Sequence, residues 1–104
     1  MDWNLDENKQ LVKAILFLET PDEAKRFLRD LMTEKEIKEF SKRLKSAEML
    51  MEKIPYSIIE KETGLSSTTI ARVSKWLNGK GKGYQTIINR LHHHNSSQAW
   101  RELF

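Results

Sequence analysis

The chain contains no cysteine, which excludes a disulfide framework, a thiolate nucleophile and a cysteine metal site. It has only two prolines, Pro21 and Pro55, and four glycines, three of them gathered in Gly79-Lys80-Gly81-Lys82-Gly83. Long stretches therefore run without a helix breaker. No window approaches the ~18 consecutive apolar residues of a membrane-spanning helix, so no membrane partner is expected. The start, Met1-Asp2-Trp3-Asn4-Leu5-Asp6, is acidic and lacks the basic beginning and apolar run of a signal peptide. A cytoplasmic location is expected. Catalytic signals are missing too. There is no strand followed by a glycine-rich phosphate loop, and the Ser and Thr residues sit at helix caps with no His beside them in sequence to act as base. No enzyme activity and no cofactor are expected.

Acid is scarce in one half only. Residues 1–52 carry ten Lys/Arg against twelve Asp/Glu, whereas residues 53–104 carry eight against three. Between Gly64 and Arg101 stand six bases (Arg72, Lys75, Lys80, Lys82, Arg90, Arg101) and no acid. Such asymmetry points the C-terminal half toward a polyanion, a solvated basic face being the plainer alternative. With 104 residues, 38% hydrophobic and 32% charged, the chain reads as one domain over residues 1–104 with a thin core. A partner subunit would supply the missing apolar surface.

What is present is helical signal from end to end, so the fold class is all-α. Leu5, Leu11, Val12, Ile15, Leu16 and Leu18 recur at helical spacing after Asn4, a candidate cap. Thr20-Pro21-Asp22-Glu23 is a capping box with proline at the first helical position, and Ala24, Phe27, Leu28 and Leu31 give that helix an apolar face. Thr33 to Glu36 repeats the box. Ile37, Phe40, Leu44, Ala47 and Met51 then form a narrow seam, read as a central core helix in preference to a short coiled coil. Pro55 is expected to stop it. Tyr84, Ile87, Ile88 and Leu91 predict a short sixth helix, followed by a tail over about 92–104.

The informative stretch is 56–78, which reads as a helix-turn-helix. Gly64 stands where a first helix ends in the left-handed conformation, and Leu65 is the apolar plug of the turn. Ser66 can cap the second helix, with Ser67, Thr68 and Thr69 in its first turn. Ile59, Ile70 and Val73 supply the inward face. The outward face then carries Ser67, Thr68, Ala71, Arg72 and Lys75, small groups that admit a helix to the major groove and cations that reach base edges or phosphates. Lys80 and Lys82, in a flexible glycine break after the helix, are expected to touch phosphates. Ser66, Ser67, Thr68, Thr69, Ala71, Arg72, Lys75, Lys80 and Lys82 are thus the candidate DNA-binding residues. The competing reading is a helical dimeric interaction module whose basic half docks an acidic protein. His92-His93-His94 is not expected to bind a metal, because three consecutive helical residues point in three directions.

The segment Leu31 to Ile37, followed by Thr69-Ile70-Ala71-Arg72-Val73 and then Gly79 to Tyr84, resembles the Trp repressor superfamily, most nearly its YerC/YecD-type branch. The resemblance covers about residues 10–92. It implies a six-helix intertwined homodimer that binds double-stranded DNA as a transcriptional regulator, with repression as the expected sense. It also implies an effector pocket at Arg43 and Arg72, the positions between which Trp repressor holds tryptophan. Val73 stands where the repressor has a glycine, and its branched side chain should fill the space for the indole, so tryptophan is not expected as a corepressor. Glu60 departs from the small residue usual in the first helix of this motif.

Overall fold

The computed structural model describes residues 1–95, in which every regular element is an α-helix. The expected positions of Trp100, Arg101, Leu103 and Phe104 lie outside the described residues. Two compact units follow one another, Met1–Thr33 and the chain from Glu34 onward.

The first unit holds α1 (Asp6–Leu16) and α2 (Pro21–Leu31). Asn4 does not cap α1: Leu5 is the cap residue and contributes no side-chain bond. The Asn4 backbone N–H is instead bonded to the Asp2 carboxylate at 2.9 Å, and Asn8 Nδ2 donates to the Asp2 carbonyl at 2.7 Å. A local turn thus competes successfully with the cap. The capping box of α2 does form. Thr20 Oγ1 accepts the Glu23 N–H at 3.1 Å, while the Glu23 carboxylate accepts the Glu19 N–H, one residue outside the usual partner, at 3.0 Å. Neither helix buries a residue. Leu11, Val12, Ile15 and Leu16 of α1 and Leu31 of α2 are exposed, with Ile15 at 52%.

The second unit contains α3 (Glu34–Met51), α4 (Tyr56–Thr63), α5 (Ser67–Leu77) and α6 (Gly83–Asn95). The α3 seam is covered unevenly, with Ile37 half-buried at its start. Ala47 is buried, Leu44 and Met51 are half-buried, and Phe40 is exposed. The helix ends before Pro55 can act. Lys53 turns left-handed at φ 61°, its N–H bonded to the Leu50 carbonyl and that of Ile54 to the Met49 carbonyl. That 5→2, 6→1 pair is a Schellman ending, with Ile54 packed back on the cluster containing Met49. Pro55, in extended backbone, instead opens α4. The sixth helix is longer than its apolar residues suggest, since the polar run His92 to Asn95 continues it.

The core has two clusters. Met49, Ile59, Leu65 and Ile70 join α3 to α4 and α5. Ala47, Val73 and Ile88 join α3 to α5 and α6, with Leu44, Leu50, Met51 and Tyr84 around them. Each fully buried Ile or Val contributes about 1.5–3 kcal/mol over its exposed state. Leu50 packs on both clusters, so the α4–α5 pair is mounted on the same helix that anchors α6.

Candidate nucleic-acid interface

The α4–α5 pair is built as a helix-turn-helix should be. Gly64 adopts φ 74°, and its N–H bonds to the Glu60 carbonyl at 2.8 Å, closing α4 with one left-handed residue. Leu65 then turns into the core, 7% exposed, against Met49, Ile59 and Ile70. Thr63, which the sequence reading passed over, locks the corner. Its buried hydroxyl donates to the Ile59 carbonyl at 2.7 Å and accepts the Leu65 N–H at 3.2 Å. Glu60 is half-buried and does not pry the helices apart, for Ile59 and Ile70 are fully enclosed.

Ser66 caps α5, its Oγ accepting the Thr69 N–H at 3.2 Å and donating to Thr69 Oγ1 at 3.1 Å. Ser66 and half-buried Thr69 are therefore engaged with each other at the start of the helix. Beyond them, Ser67, Thr68, Ala71, Arg72 and Lys75 are all exposed. Thr68, Ala71, Arg72 and Lys75 fall at helical repeats and form one stripe about 10 Å long. Opposite that stripe, Ile70, Val73 and Leu77 are buried, so the helix has one face for the core and one for solvent. No acidic residue occupies the first turn of α5, which leaves its positive dipole end uncompensated. Among the described residues, Arg72, Lys75, Lys80 and Lys82 make no ion pair.

The segment after α5 is a bonded turn. Asn78 Nδ2 donates to the Ser74 carbonyl at 2.9 Å, and Gln85 Nε2 reaches back from α6 to the Leu77 carbonyl at 2.6 Å. Gly79 relieves a close approach, since a Cβ there would crowd the carbonyl oxygens of Lys75 and Trp76 at 3.3 Å. Lys80 and Lys82 are exposed on this turn, Lys82 in left-handed backbone at φ 54°.

The candidate effector residues are dispersed. Arg72 lies on the exposed stripe of α5, whereas Val73 is wholly buried between Ala47 and Ile88. Arg43, on α3, is half-buried with its guanidinium 5.5 Å from the Phe40 ring centroid and 5.9 Å from that of Trp76. Trp76 was not singled out in the sequence. Its signal was an aromatic one turn beyond Arg72, off the apolar repeat of Ile70, Val73 and Leu77. An open groove of about 770 Å³ lies between α3 and the α5–α6 turn, with Leu44, Trp76, Tyr84 and Ile87 as its apolar wall. Burial raises the Tyr84 phenol pKa above its ordinary value, and the Arg43 charge partly offsets this. His92 Nε2 lies 3.5 Å from a Glu48 carboxylate oxygen, tying α6 to α3. Among the described residues no group of His, Cys, Asp and Glu could hold a metal ion, and no helix is long and apolar enough to cross a membrane.

Comparison with known proteins gives a consistent picture. The family model for Trp repressor protein matches residues 6–92. The uncharacterized protein YerC of Bacillus subtilis (strain 168) is 41% identical over 85 residues, which are 82% of this chain and 82% of that protein. The crystal structure of a TrpR-like protein from Eubacterium eligens ATCC 27750 superposes with a TM-score of 0.82 at 39% identity, covering 86% of this chain and 93% of that one. That of a putative Trp repressor from Staphylococcus aureus gives 0.81 at 35% identity, covering 88% and 95%. With a matched span that takes in the α4–α5 pair and all of its buried supports, the chain belongs to the Trp repressor family.

Proposed function

We propose that this protein is a sequence-specific, double-stranded-DNA-binding transcriptional regulator, a cytoplasmic repressor that acts as a homodimer. One observation carries the reading: α5 buries Ile70, Val73 and Leu77 and turns Thr68, Ala71, Arg72 and Lys75 outward, with no carboxylate on that stripe. The rigid inner face holds the helix, and the outer face offers small groups and cations of the kind that read a major groove. Ser67, Thr68, Ala71 and Arg72 then face base edges. Lys75, Lys80 and Lys82 follow the phosphates, while Ser66 and Thr69 hold the helix start from which the contacts are made. The uncovered apolar residues of α1 and α2 favour a second copy as their cover. The whole chain then works as one domain within the dimer. Bound over a promoter, such a dimer represses by excluding polymerase. Tryptophan is not its effector, because Val73 fills the interior where an indole would lie.

Selection of bound sequences from random duplexes tests the reading. Recovered sites should be two-fold symmetric, with half-sites about 34 Å, one helical turn, apart. Sedimentation at low micromolar concentration should give twice the 12.3 kDa chain mass. Random sequences recovered without enrichment, together with salt-sensitive capture of an acidic protein, would favour the interaction-module reading.

A further inference from the structure

The buried face of α5 seats the helix on the core, and any brace on its other side adds to how firmly Thr68, Arg72 and Lys75 are aimed. Trp76 sits at the end of the helix that Arg72 faces, four residues on, and is not part of the core, being 49% exposed. What it meets is a cation. The Arg43 guanidinium stands 5.9 Å from the indole centroid and 5.5 Å from the Phe40 ring, both within cation–π range. Arg43 Nε is sealed from solvent and makes no hydrogen bond, although it pairs with the Glu39 carboxylate, one turn back on α3, at 3.5 Å. The guanidinium is thus held by two ring faces together with the Glu39 carboxylate, and of these only the Trp76 ring belongs to α5. The same charge acts on the Tyr84 phenol of α6, so this one cation is felt by all three helices of the second core cluster.

We propose that Trp76 and Arg43 form a built-in brace that steadies the rotation of the reading helix, so that DNA binding needs no small-molecule co-regulator. The proposal rests on the DNA-reading assignment above and deepens it. Trp76 and Arg43 are positioning residues: neither lies on the outward stripe, and both act through the direction of Arg72. The indole already occupies a face of Arg43, and Val73 closes the interior beside it. A planar ligand can stack on that face of Arg43 only by displacing Trp76, and so would loosen the brace rather than complete it, whereas an effector must favour the binding-competent state.

The test pairs amide exchange with DNA affinity in Trp76→Ala, Arg43→Met and Arg43→Lys. Trp76 is half-exposed and Arg43→Met keeps the aliphatic stem, so all three should fold. Exchange is measured first on the whole protein without DNA. Loss of the brace should speed exchange across residues 67–77 by between about threefold and thirtyfold in Trp76→Ala and Arg43→Met, with Arg43→Lys, which keeps the charge, much closer to wild type. Affinity for the selected duplex should fall in the same order, because the reading-competent fraction falls. The wild-type protein, dialysed free of small molecules, should bind at full strength. Unchanged exchange in all three variants overturns the brace whether or not the protein binds DNA. Wild-type affinity in Trp76→Ala, or a wild type that binds only after a small molecule is added, overturns its regulatory consequence. A wild type that binds no duplex refutes the DNA-reading assignment, and exchange still decides the brace.

Discussion

Val73 is the residue on which core packing and the exclusion of tryptophan both depend, and Val73→Ala isolates its contribution. The side chain is fully buried in a cluster with Ala47 and Ile88, against which Leu44, Leu50, Met51 and Tyr84 pack. Truncation removes two carbons, worth about 1.6 kcal/mol at ~0.8 kcal/mol each. The cavity left behind, if the walls stay in place, is about 45 Å³ and costs about 1 kcal/mol more at ~24 cal/mol per Å³. Alanine's better helix propensity returns about 0.5 kcal/mol. The net loss is about 2 kcal/mol, which at a urea m-value of ~2 kcal/mol/M moves the midpoint by about 1 M. Urea unfolding followed by helical circular dichroism measures it. A loss under about 0.5 kcal/mol would show that α5 is not clamped on α3 and α6 as described. Calorimetry on both proteins gives the second half of the prediction. Wild type should show no saturable heat with millimolar tryptophan, and neither should Val73→Ala, whose new cavity is far smaller than an indole. Saturation in wild type would refute the exclusion argument outright.

Gly64→Ala should cost about 1 kcal/mol or more, although an added Cβ meets nothing within 4 Å, because the strain lies in φ 74° alone. Gly81→Ala is the control, with equal space and no positive φ, and should be near neutral in the same melt. Lys53→Gly should raise stability by up to about 1 kcal/mol, since it relieves a left-handed residue at a helix end. Replacing Lys80 and Lys82 together with alanine should weaken binding to all duplexes alike and flatten the salt slope by about 0.9 per lost phosphate contact, read by titration at several salt concentrations.

The parts legible in the sequence are those decided by local chemistry. Gly64, Leu65 and Ser66 announce a helix end, a plug and a cap, and the structure has Gly64 at φ 74°, Leu65 buried and Ser66 bonded to Thr69. The spacing of Ile70 and Val73 likewise marks the inner face of α5, which the structure extends to Leu77. What could not be read is what depends on atoms far apart in sequence or on competing local bonds. Asp2 draws the Asn4 N–H away from a capping arrangement. Lys53 ends α3 in a conformation usually left to glycine, so no residue type marks the stop and Pro55 falls after it. The apolar faces of α1 and α2 were visible as faces, but their patterns do not say what covers them. Arg43 and Trp76 are 33 positions apart in the chain, and only folding brings the cation to the ring.

Whether α5 reads sequence is decided by the affinity of Arg72→Ala for a selected site against random duplex of equal length and salt. Arg72 is exposed on the outward stripe, without an ion pair among the described residues, so its removal should leave the fold intact. If Arg72 meets base edges, the loss is about 1–3 kcal/mol on the selected site with little change on random duplex, collapsing the preference between them. An equal loss on both would contradict it: Arg72 would then be one charge in an electrostatic patch, and α5 would not be a reading helix.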